Sequence, residues 1–241
     1  MAEANICPAG HGRSCVHCPL RTGTEFGGLD GEDLEFLERH ITRRTYGRKE
    51  TILITNESGL VGVAAGAVAL RKSNVRGQSS LVRLVHAGEL FGQPYFFSNI
   101  STVVEAVTLT RTSLCLISGR AVRALLNRNP RLMEGFLQSV AQEVHRAEEQ
   151  QLDLSTLSVR GRIARLLLDL TGRYGRRIDG RTVIRLPLAR QDIAAMLYTR
   201  PETVARVIGA LTRDGIALFQ GKVVTVPDID ALALEAECAS P

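Results

Sequence analysis

The order of apolar and polar residues along the chain predicts a short helix, then a series of strands, then a largely helical half. Leu34, Leu37 and Ile41 recur three and four residues apart, which predicts a helix over residues 30–41. Six β-rich runs separated by Gly, Asn and Ser turns follow, and they are Thr51–Thr55, Leu60–Ala64, Ala67–Lys72, Leu81–His86, Thr102–Thr110 and Thr112–Ile117. Because no helical pattern lies between these runs, we expect a β-barrel or sandwich and no parallel α/β sheet.

Helical periodicity returns at Gly119 and continues to about residue 170. Asn129 and Pro130 end one helix and begin the next, because proline is well tolerated in the first turn of a helix. Apolar residues then alternate four and three positions apart, as in a coiled-coil seam, at Met133, Leu137, Val140, Val144 and Ala147. A helix of this kind either packs on its own domain or pairs with a second copy of the chain.

The C-terminal third has the pattern of a winged helix-turn-helix. An amphipathic helix over Arg160–Tyr174 is followed by a strand-like stretch at residues 183–186. Two short helices, at about 190–197 and 201–213, are then joined by a tight turn. Residues 216–226 form a hairpin with its break at Gly221 and Lys222. Five apolar positions of the two short helices are expected to pack together, namely Ile193, Leu197, Val204, Ile208 and Leu211.

Length and composition are those of a soluble protein with one large domain or two smaller ones. The chain has 241 residues, 44% of them apolar. Its longest apolar or glycine run, Gly59–Leu70, is too short to cross a bilayer. The first residues lack the basic-then-apolar pattern of a secretion signal. We therefore expect a cytoplasmic protein with no membrane partner.

The formal net charge of +5 permits binding to nucleic acid, and the distribution of that charge is more informative. Twelve arginines and four acidic residues lie between Arg160 and Arg213, where the helix-turn-helix pattern lies. The second helix of a helix-turn-helix motif reads bases with its N-terminal residues, which here are Arg200, Glu202, Thr203 and Arg206. Arginine matches the two acceptors of guanine, and a carboxylate accepts from the cytosine amino group. Alternatively, Glu202 and Arg206 form a surface ion pair along the helix.

Four cysteines form a candidate metal or iron–sulfur site. Cys7, Cys15 and Cys18 are clustered near the N-terminus, and Cys115 lies about a hundred residues downstream. Thiolates are the usual ligands of zinc and of iron–sulfur clusters. The N-terminal thiols could instead bind zinc or form a redox switch, and His11 and His17 could ligate a metal in place of one cysteine. Cys115 alone could be a buried strand residue, and Cys238 is interpreted as a spare thiol.

Three motifs together resemble the cyclic-AMP receptor protein and fumarate-and-nitrate-reduction regulator (CRP/FNR) superfamily. They are the helix start Pro201–Arg206 with the spacing E-x-x-x-R, the turn Gly88–Gly92, and the C-x2-C of Cys15 and Cys18. The resemblance covers nearly the whole chain and is greatest to the oxygen-sensing FNR branch. It implies an α+β fold: an N-terminal antiparallel β-barrel of the cyclic-nucleotide-binding jelly-roll type, a long dimerisation helix and a C-terminal winged helix-turn-helix.

The resemblance also implies roles for individual residues. Glu202 and Arg206 would read the C and G of a TGA-type half-site, although Ala205 stands where the branch commonly has serine. Cys15, Cys18 and the barrel residue Cys115 would be ligands of an oxygen- or nitric-oxide-labile [4Fe-4S] cluster. The third N-terminal ligand usually follows the C-x2-C pair, but here only Cys7, which precedes it, is available.

Several other inputs are alternatives to the cluster. Members that bind cyclic nucleotides have a glutamate where this chain has Gln93, and an arginine that pairs with the cyclic phosphate. Between Phe91 and Thr110 there is no lysine or arginine, so cyclic-nucleotide control is not expected. Zinc, thiol chemistry, haem bound by a histidine such as His86, or a small organic effector remain alternatives. The sequence contains no catalytic motif in a context that supports one, and we do not expect the protein to be an enzyme.

The sequence therefore predicts a transcription regulator in four parts. These are a cysteine-rich segment (1–28), a β-barrel sensor (29–128), a dimerisation helix (129–158) and a winged helix-turn-helix domain (159–241). The expected partners are a palindromic promoter site in double-stranded DNA, a second copy of the chain and RNA polymerase. Loss of the cluster would change how the helix seam packs. The two DNA-reading helices would then no longer have the spacing that the two half-sites require.

Overall fold

A computed structural model describes residues 15–55, 57–77, 79–98 and 103–239 of the chain. The chain divides into two compact units, Met1–Val144 and His145–Pro241. The boundary lies inside one long helix, Pro130–Thr156, within the predicted dimerisation segment. In the described residues, no helix combines the length and the apolar character needed to cross a membrane.

The first unit contains eight strands in its described residues. They are β1 (Ile41–Tyr46), β2 (Thr51–Ile54), β3 (Leu60–Ala65), β4 (Ala67–Ser73), β5 (Ser79–His86), β6 (Leu90–Phe91), β7 (Val104–Thr108) and β8 (Thr112–Ile117). Its helices are α1 (Gly31–His40), α2 (Gln93–Phe97), α3 (Gly119–Arg128) and α4 (Pro130–Thr156), which runs on into the second unit.

The eight strands form two antiparallel sheets, with the orders β1-β8-β3-β6 and β2-β7-β4-β5. Buried side chains between them form one core, which includes Ile54, Val61, Phe91 and Leu114. The predicted antiparallel jelly roll is thereby confirmed. Strand β1 lies before the first strand that we predicted, because its run of Thr and Arg residues has no apolar alternation. Pairing with β8 along its whole length makes it a strand.

A second apolar cluster lies outside the space between the two sheets and, besides strand residues Leu60, Leu90 and Ile117, joins four further stretches of chain. Phe26 from the N-terminal segment, Leu37 from α1, Val122 from α3 and Phe136 from α4 are all at least 98% buried in it. Helix α3 begins at a proper cap, since the Ser118 side chain accepts a hydrogen bond from the backbone N–H of Ala121. Helix α4 begins at Pro130, as the sequence predicted.

Helix α4 has two different apolar faces. Leu132 and Phe136 are buried in the second cluster. Met133, Leu137 and Val144 are 47%, 69% and 54% exposed. The other two seam positions are also accessible, with Val140 half-buried and Ala147 exposed. Large apolar side chains exposed in a row on one helix are typical of a face that another molecule covers.

The second unit has the architecture of a winged helix-turn-helix. After α4 it contains α5 (Val159–Tyr174), β9 (Arg176–Ile178), β10 (Arg181–Arg185), α6 (Arg190–Met196), α7 (Pro201–Arg213), β11 (Leu218–Gln220), β12 (Val223–Val226) and α8 (Ile229–Glu235). Its strands form one antiparallel sheet in the order β11-β12-β10-β9. The predicted hairpin turn is present, and Gly221 has φ +63°, in the left-handed region that favours glycine.

A partly buried ion pair connects strand β5 to helix α4 within the first unit. Nη1 of Arg83 lies 2.8 Å from Oε2 of Glu143, and the two side chains are only 17% and 25% exposed. Nη2 of Arg83 also donates to the carbonyl oxygen of Leu90 at 3.4 Å. Burial raises the pKa of nearby Tyr95, Glu143 raises it further, and Arg83 opposes both. Glu143 directly precedes the exposed Val144 on α4. The ion pair therefore holds the last part of α4 within the first unit against strand β5 of the barrel.

We predict a measurable coupling between these two charges. Arg83→Glu and Glu143→Arg each leave a like-charge pair in a partly buried place and should lower the free energy of unfolding by about 2 kcal/mol. The double charge exchange should restore about half of that loss. Chemical denaturation of the four proteins measures the coupling, with Arg76→Glu on the exposed β4–β5 turn as a control. A double variant whose loss equals the sum of the single losses would show that the pair contributes nothing.

Candidate cysteine centre and DNA-reading helix

Cys15 is held in place by an arginine from the barrel. The side chain of Cys15 is 6% exposed and belongs to the second apolar cluster. Nη2 of Arg43, on strand β1, donates to Sγ of Cys15 at 3.0 Å. Burial raises the pKa of the Cys15 thiol, whereas the positive charge of Arg43 opposes that rise. The site thus combines a low-polarity environment with a cation that favours thiolate.

Arg43 also stands directly opposite Cys115. The two residues face one another across the β1–β8 pair, and Gly62 faces Cys115 across the β8–β3 pair. Leu90, on β6, faces Gly62 in turn. Residues opposite one another in an antiparallel pair project from the same face of the sheet. Arg43, Cys115, Gly62 and Leu90 therefore form one row across the sheet, which we call the cross-sheet row.

Gly62 lets Leu90 and Cys115 approach each other closely on this face. A Cβ at this position would lie 3.2 Å from Cδ2 of Leu90 and 3.7 Å from Cβ of Cys115. The N-terminal segment approaches the same region, since Cδ2 of Leu20 lies 3.6 Å from where a Cβ of Gly88 would be. Cys115 is itself half-buried. The arginine that contacts the tail cysteine is therefore also the cross-strand neighbour of the barrel cysteine.

The described thiols are of the kind that ligates iron–sulfur clusters, but they are not grouped as a metal-ion site. Cys18 is half-buried and lies in the same turn as Cys15, whose carbonyl oxygen accepts from the Cys18 N–H at 3.4 Å. Within the described residues, no three His, Cys, Asp or Glu side chains are grouped so that they could hold one metal ion. Cys7 and His11 lie outside those residues, and His17 is exposed.

Arg21 folds the N-terminal segment around its guanidinium group. Nε donates to the carbonyl oxygen of Cys15 at 3.0 Å. Nη1 donates to the carbonyl oxygens of Phe26 and Gly27, both at 2.8 Å, and to that of Leu29 at 3.1 Å. Sequence reasoning missed both Arg21 and Arg43, because an arginine that binds carbonyls or a distant thiol resembles any surface arginine in a sequence.

The same segment contacts helix α4 and the turn after β6. The rings of Phe26 and Phe136 meet edge to face with centroids 5.5 Å apart. Nε2 of Gln93 donates to Oε1 of Glu25 at 3.0 Å. The Glu25 side chain also lies next to Gly135 of α4, 3.8 Å from where a Cβ would stand. Residues of this segment are therefore in contact with the helix that carries the predicted seam.

The turn from Gly88 to Gly92 requires its two glycines. They have φ angles of +88° and +106°, and a Cβ on Gly92 would lie 2.8 Å from the carbonyl oxygen of Gly59. Gln93, which follows, is 1% exposed, and its Oε1 has no hydrogen-bond partner in the described residues. His86, the candidate haem ligand, is 7% exposed. Through its Nε2 atom, Gln93 binds the Glu25 side chain of the N-terminal segment.

Helix α7 presents the predicted base-reading residues on its outer face. Val204, Ile208 and Leu211 are buried against the rest of the unit. Arg200, Glu202 and Arg206 are exposed, and Thr203 is half-buried. The alternative of an ion pair between Glu202 and Arg206 is not observed between these two described residues. Both charged side chains are therefore available to an external partner.

The turn between α6 and α7 is held by polar contacts to its backbone. Nη1 of Arg162 donates to the carbonyl oxygen of Leu197 at 2.9 Å. Nε2 of Gln150 donates to that of Met196 at 3.4 Å. Tyr198, within the turn, has φ +51°, a left-handed conformation that is uncommon for a bulky residue. These contacts fix the direction in which α7 leaves the turn.

Two family models match the two units separately. Residues 43–129 match the cyclic nucleotide-binding domain, and residues 161–234 match the Crp-like helix-turn-helix domain. The first match covers the strands of the jelly roll and α3. The second covers α5 and the described winged helix-turn-helix. Together they account for both predicted modules.

Several curated proteins are similar to the chain over most of its length. The transcriptional activator protein FnrL of Cereibacter sphaeroides is 28% identical over 230 residues, 92% of this chain and 91% of that protein. A CRP-like cAMP-activated global transcriptional regulator of Mycobacterium tuberculosis is 24% identical over 213 residues, 88% of this chain and 95% of that protein.

Solved structures agree with this assignment at the level of the fold. The structure of FixK2 from Bradyrhizobium japonicum superimposes with a TM-score of 0.71 at 24% identity, over 83% of this chain and 99% of that one. Jelly roll, helix-turn-helix and whole-length relatives all point to the same family of DNA-binding regulators. The chain belongs to the CRP/FNR family of transcription regulators.

Proposed function

We propose that this regulator is controlled by a [4Fe-4S] cluster held by Cys7, Cys15, Cys18 and Cys115. The observation that carries the proposal is that Arg43, which donates to Sγ of Cys15, is the cross-strand neighbour of Cys115. The similarity to FnrL, and to a protein of Pasteurella multocida called an anaerobic regulatory protein, favours an oxygen-linked input. The buried thiol of Cys15 and the half-buried thiols of Cys18 and Cys115 are of the chemical type that ligates iron–sulfur clusters.

In this proposal, ligation of the cluster sets the position of helix α4 through contacts made by residues of the N-terminal segment. When bound, the cluster supplies a cross-link between tail and barrel that oxygen or nitric oxide can break. Arg21 joins Cys15 to the backbone of residues 26–29, so that this stretch follows the cysteine. Phe26 and Glu25 then transmit the change to Phe136 and Gly135 of α4. Release of the tail would weaken this packing and shift the seam.

The seam residues Met133, Leu137, Val140, Val144 and Ala147 are proposed to pair two copies of the chain. A homodimer presents two α7 helices, and half-sites one DNA turn apart are spaced by about 34 Å. Glu202 and Arg206 would read a TGA-type half-site, with Arg200 and Thr203 as neighbouring contacts. A palindromic promoter site and RNA polymerase are the partners, and the location is the cytoplasm. A small change in how the seam packs is enough to prevent both helices from docking together.

A thiol switch is the second candidate for the input. Cys15 and Cys115 share one arginine, and no single-ion site exists among the described residues. An oxidant could join two such thiols without any metal. This candidate keeps the same tail, the same contact with α4 and the same DNA reader. Metal analysis separates it from the cluster.

We predict that the protein purified without oxygen contains about four iron and four sulfide atoms per protomer. Cys15→Ser and Cys115→Ser should each lose most of both, together with the visible absorption, because each removes one ligand. Cys238→Ser, which changes an exposed thiol in the second unit, should retain them. Finding no iron or sulfide, with normal regulation of DNA binding when both Cys15 and Cys18 are serine, would eliminate the cluster.

We predict that Glu202→Ala and Arg206→Gln reduce base discrimination as well as affinity. Each should cost about 1–3 kcal/mol per half-site, or about 5- to 150-fold, on a TGA-type palindrome. Loss of preference at one base of the half-site, measured by gel shift with single-base variants, is the specific result expected. Arg213→Gln, an exposed arginine at the other end of α7, serves as the control. Uniform weakening on all sequences would assign these residues to phosphate contacts.

We predict that Val144→Glu weakens the dimer, because it places a charge at an apolar seam position in each copy. The dimer dissociation constant should rise at least about tenfold, measured by sedimentation equilibrium. Gln142→Glu adds the same charge at an exposed position of α4 outside the seam and should change little. An unchanged association constant for Val144→Glu would place the dimer interface elsewhere.

A further inference from the structure

Arg43 is the side chain that connects the two halves of the proposed centre. It belongs to β1 in the barrel, yet its guanidinium donates to a sulfur atom of the tail. Its backbone position is fixed by the full-length pairing of β1 with β8, where Arg43 faces Cys115. The side chain is half-buried, as is Cys115. A cation on β1 is therefore a hydrogen-bond donor to one thiol and the cross-strand neighbour of the other.

The chemistry of thiolate centres gives such a cation a purpose. Thiolates, alone or as ligands of iron, concentrate negative charge in a region from which water is largely removed. Hydrogen bonds to the sulfur atoms, net charge and exposure set the stability and the reduction potential of iron–sulfur centres. Groups that orient metal ligands without binding the metal typically change affinity or activity by about 10–100-fold when they are removed.

We propose that Arg43 is a positioning residue that presents Cys15 to Cys115 and compensates the negative charge of the centre they form. This inference rests on the proposed cluster and deepens it. Because Arg43 holds Cys15 at the sheet that carries Cys115, it prepares the tail for ligation. It would also supply an N–H donor to a ligand sulfur when the centre forms.

The guanidinium group suits this task better than an ammonium group. Its planar fork directs several N–H donors from one rigid plane, whereas lysine offers a point charge on a flexible stem. The neighbouring Arg44 faces Leu114 across the same strand pair and therefore lies on the other face of the sheet. It carries the same charge on the same strand without facing either cysteine. Arg44 is thus a matched internal control.

The test compares Arg43→Lys, Arg43→Gln and Arg43→Leu with Arg44→Gln in the full-length chain. In the metal-free proteins, hydrogen exchange at residues 15–19 should become about tenfold faster for Arg43→Leu, because the tail loses its attachment to β1. Arg43→Gln should behave similarly, and Arg44→Gln should match the parent. Thermal unfolding confirms that each variant is folded.

After anaerobic reconstitution with iron and sulfide, a second measurement follows the visible absorption in air and the midpoint potential. Arg43→Gln and Arg43→Leu should lose the absorption about 10–100-fold faster than the parent and have a more negative potential. Arg43→Lys, which keeps the charge, should recover much of the potential but less of the lifetime. If Arg43 had only a structural role, Arg43→Lys and Arg43→Gln would not differ in midpoint potential and lifetime in this way.

The outcomes distinguish this inference from the proposed function. If the parent binds iron and sulfide while the Arg43 variants match it in lifetime and potential, the inference is wrong and the cluster stands. If the parent binds neither, the proposed cluster and this role of Arg43 both fail, and the exchange measurement still reports whether Arg43 holds the tail. Slower exchange or longer lifetime in Arg43→Leu would also overturn the inference.

Discussion

The first unit depends on one apolar cluster in which the N-terminal segment is packed against the start of helix α4. Phe26, Leu37, Leu125 and Phe136 come from four separate stretches of chain and are all nearly inaccessible to solvent. Each large apolar side chain buried in this way contributes about 1.5–3 kcal/mol. The cluster therefore makes the tail a part of the folded unit. Without it, the cysteines would have no defined position relative to the barrel.

Two arginines complete what the apolar cluster begins. Arg21 satisfies four backbone carbonyls of a segment that has little regular structure of its own. Arg43 fixes the buried Cys15 from the side of the sheet. Carbonyls and a thiol buried without partners would each cost free energy. Polar contacts of this kind specify one conformation, whereas apolar packing alone tolerates several.

Helix α4 is the element through which the first unit acts on its surroundings. Its buried residues Leu132 and Phe136 belong to the core, while Met133, Leu137 and Val144 are exposed beside them. Side chains on one helix are rigidly related, so a change in the packing of one face alters the other. In the proposed regulator, this coupling carries the state of the cysteine centre to the dimer seam. The Arg83–Glu143 pair limits how far the helix can move.

The sequence alone determined the modules, because each has a periodic signal. Periodic runs predicted strands β3–β5 and β8 and the outer face of α7. The family was predicted by the motifs Pro201–Arg206, Gly88–Gly92 and the C-x2-C of Cys15 and Cys18. The sequence also identified Cys15, Cys18 and Cys115 as candidates, since cysteine spacing is visible without a fold. Strand β1 escaped this reasoning because its polar residues have no period that marks a strand.

Only the tertiary structure decided which side chains meet. Arg43 is 28 residues from Cys15 and 72 from Cys115, and nothing in its local sequence distinguishes it from Arg44. The register of β1 on β8 places it opposite Cys115, and the packing of Phe26 brings the tail to the same sheet. Register and docking arise from the whole core at once, which is why local patterns do not contain them.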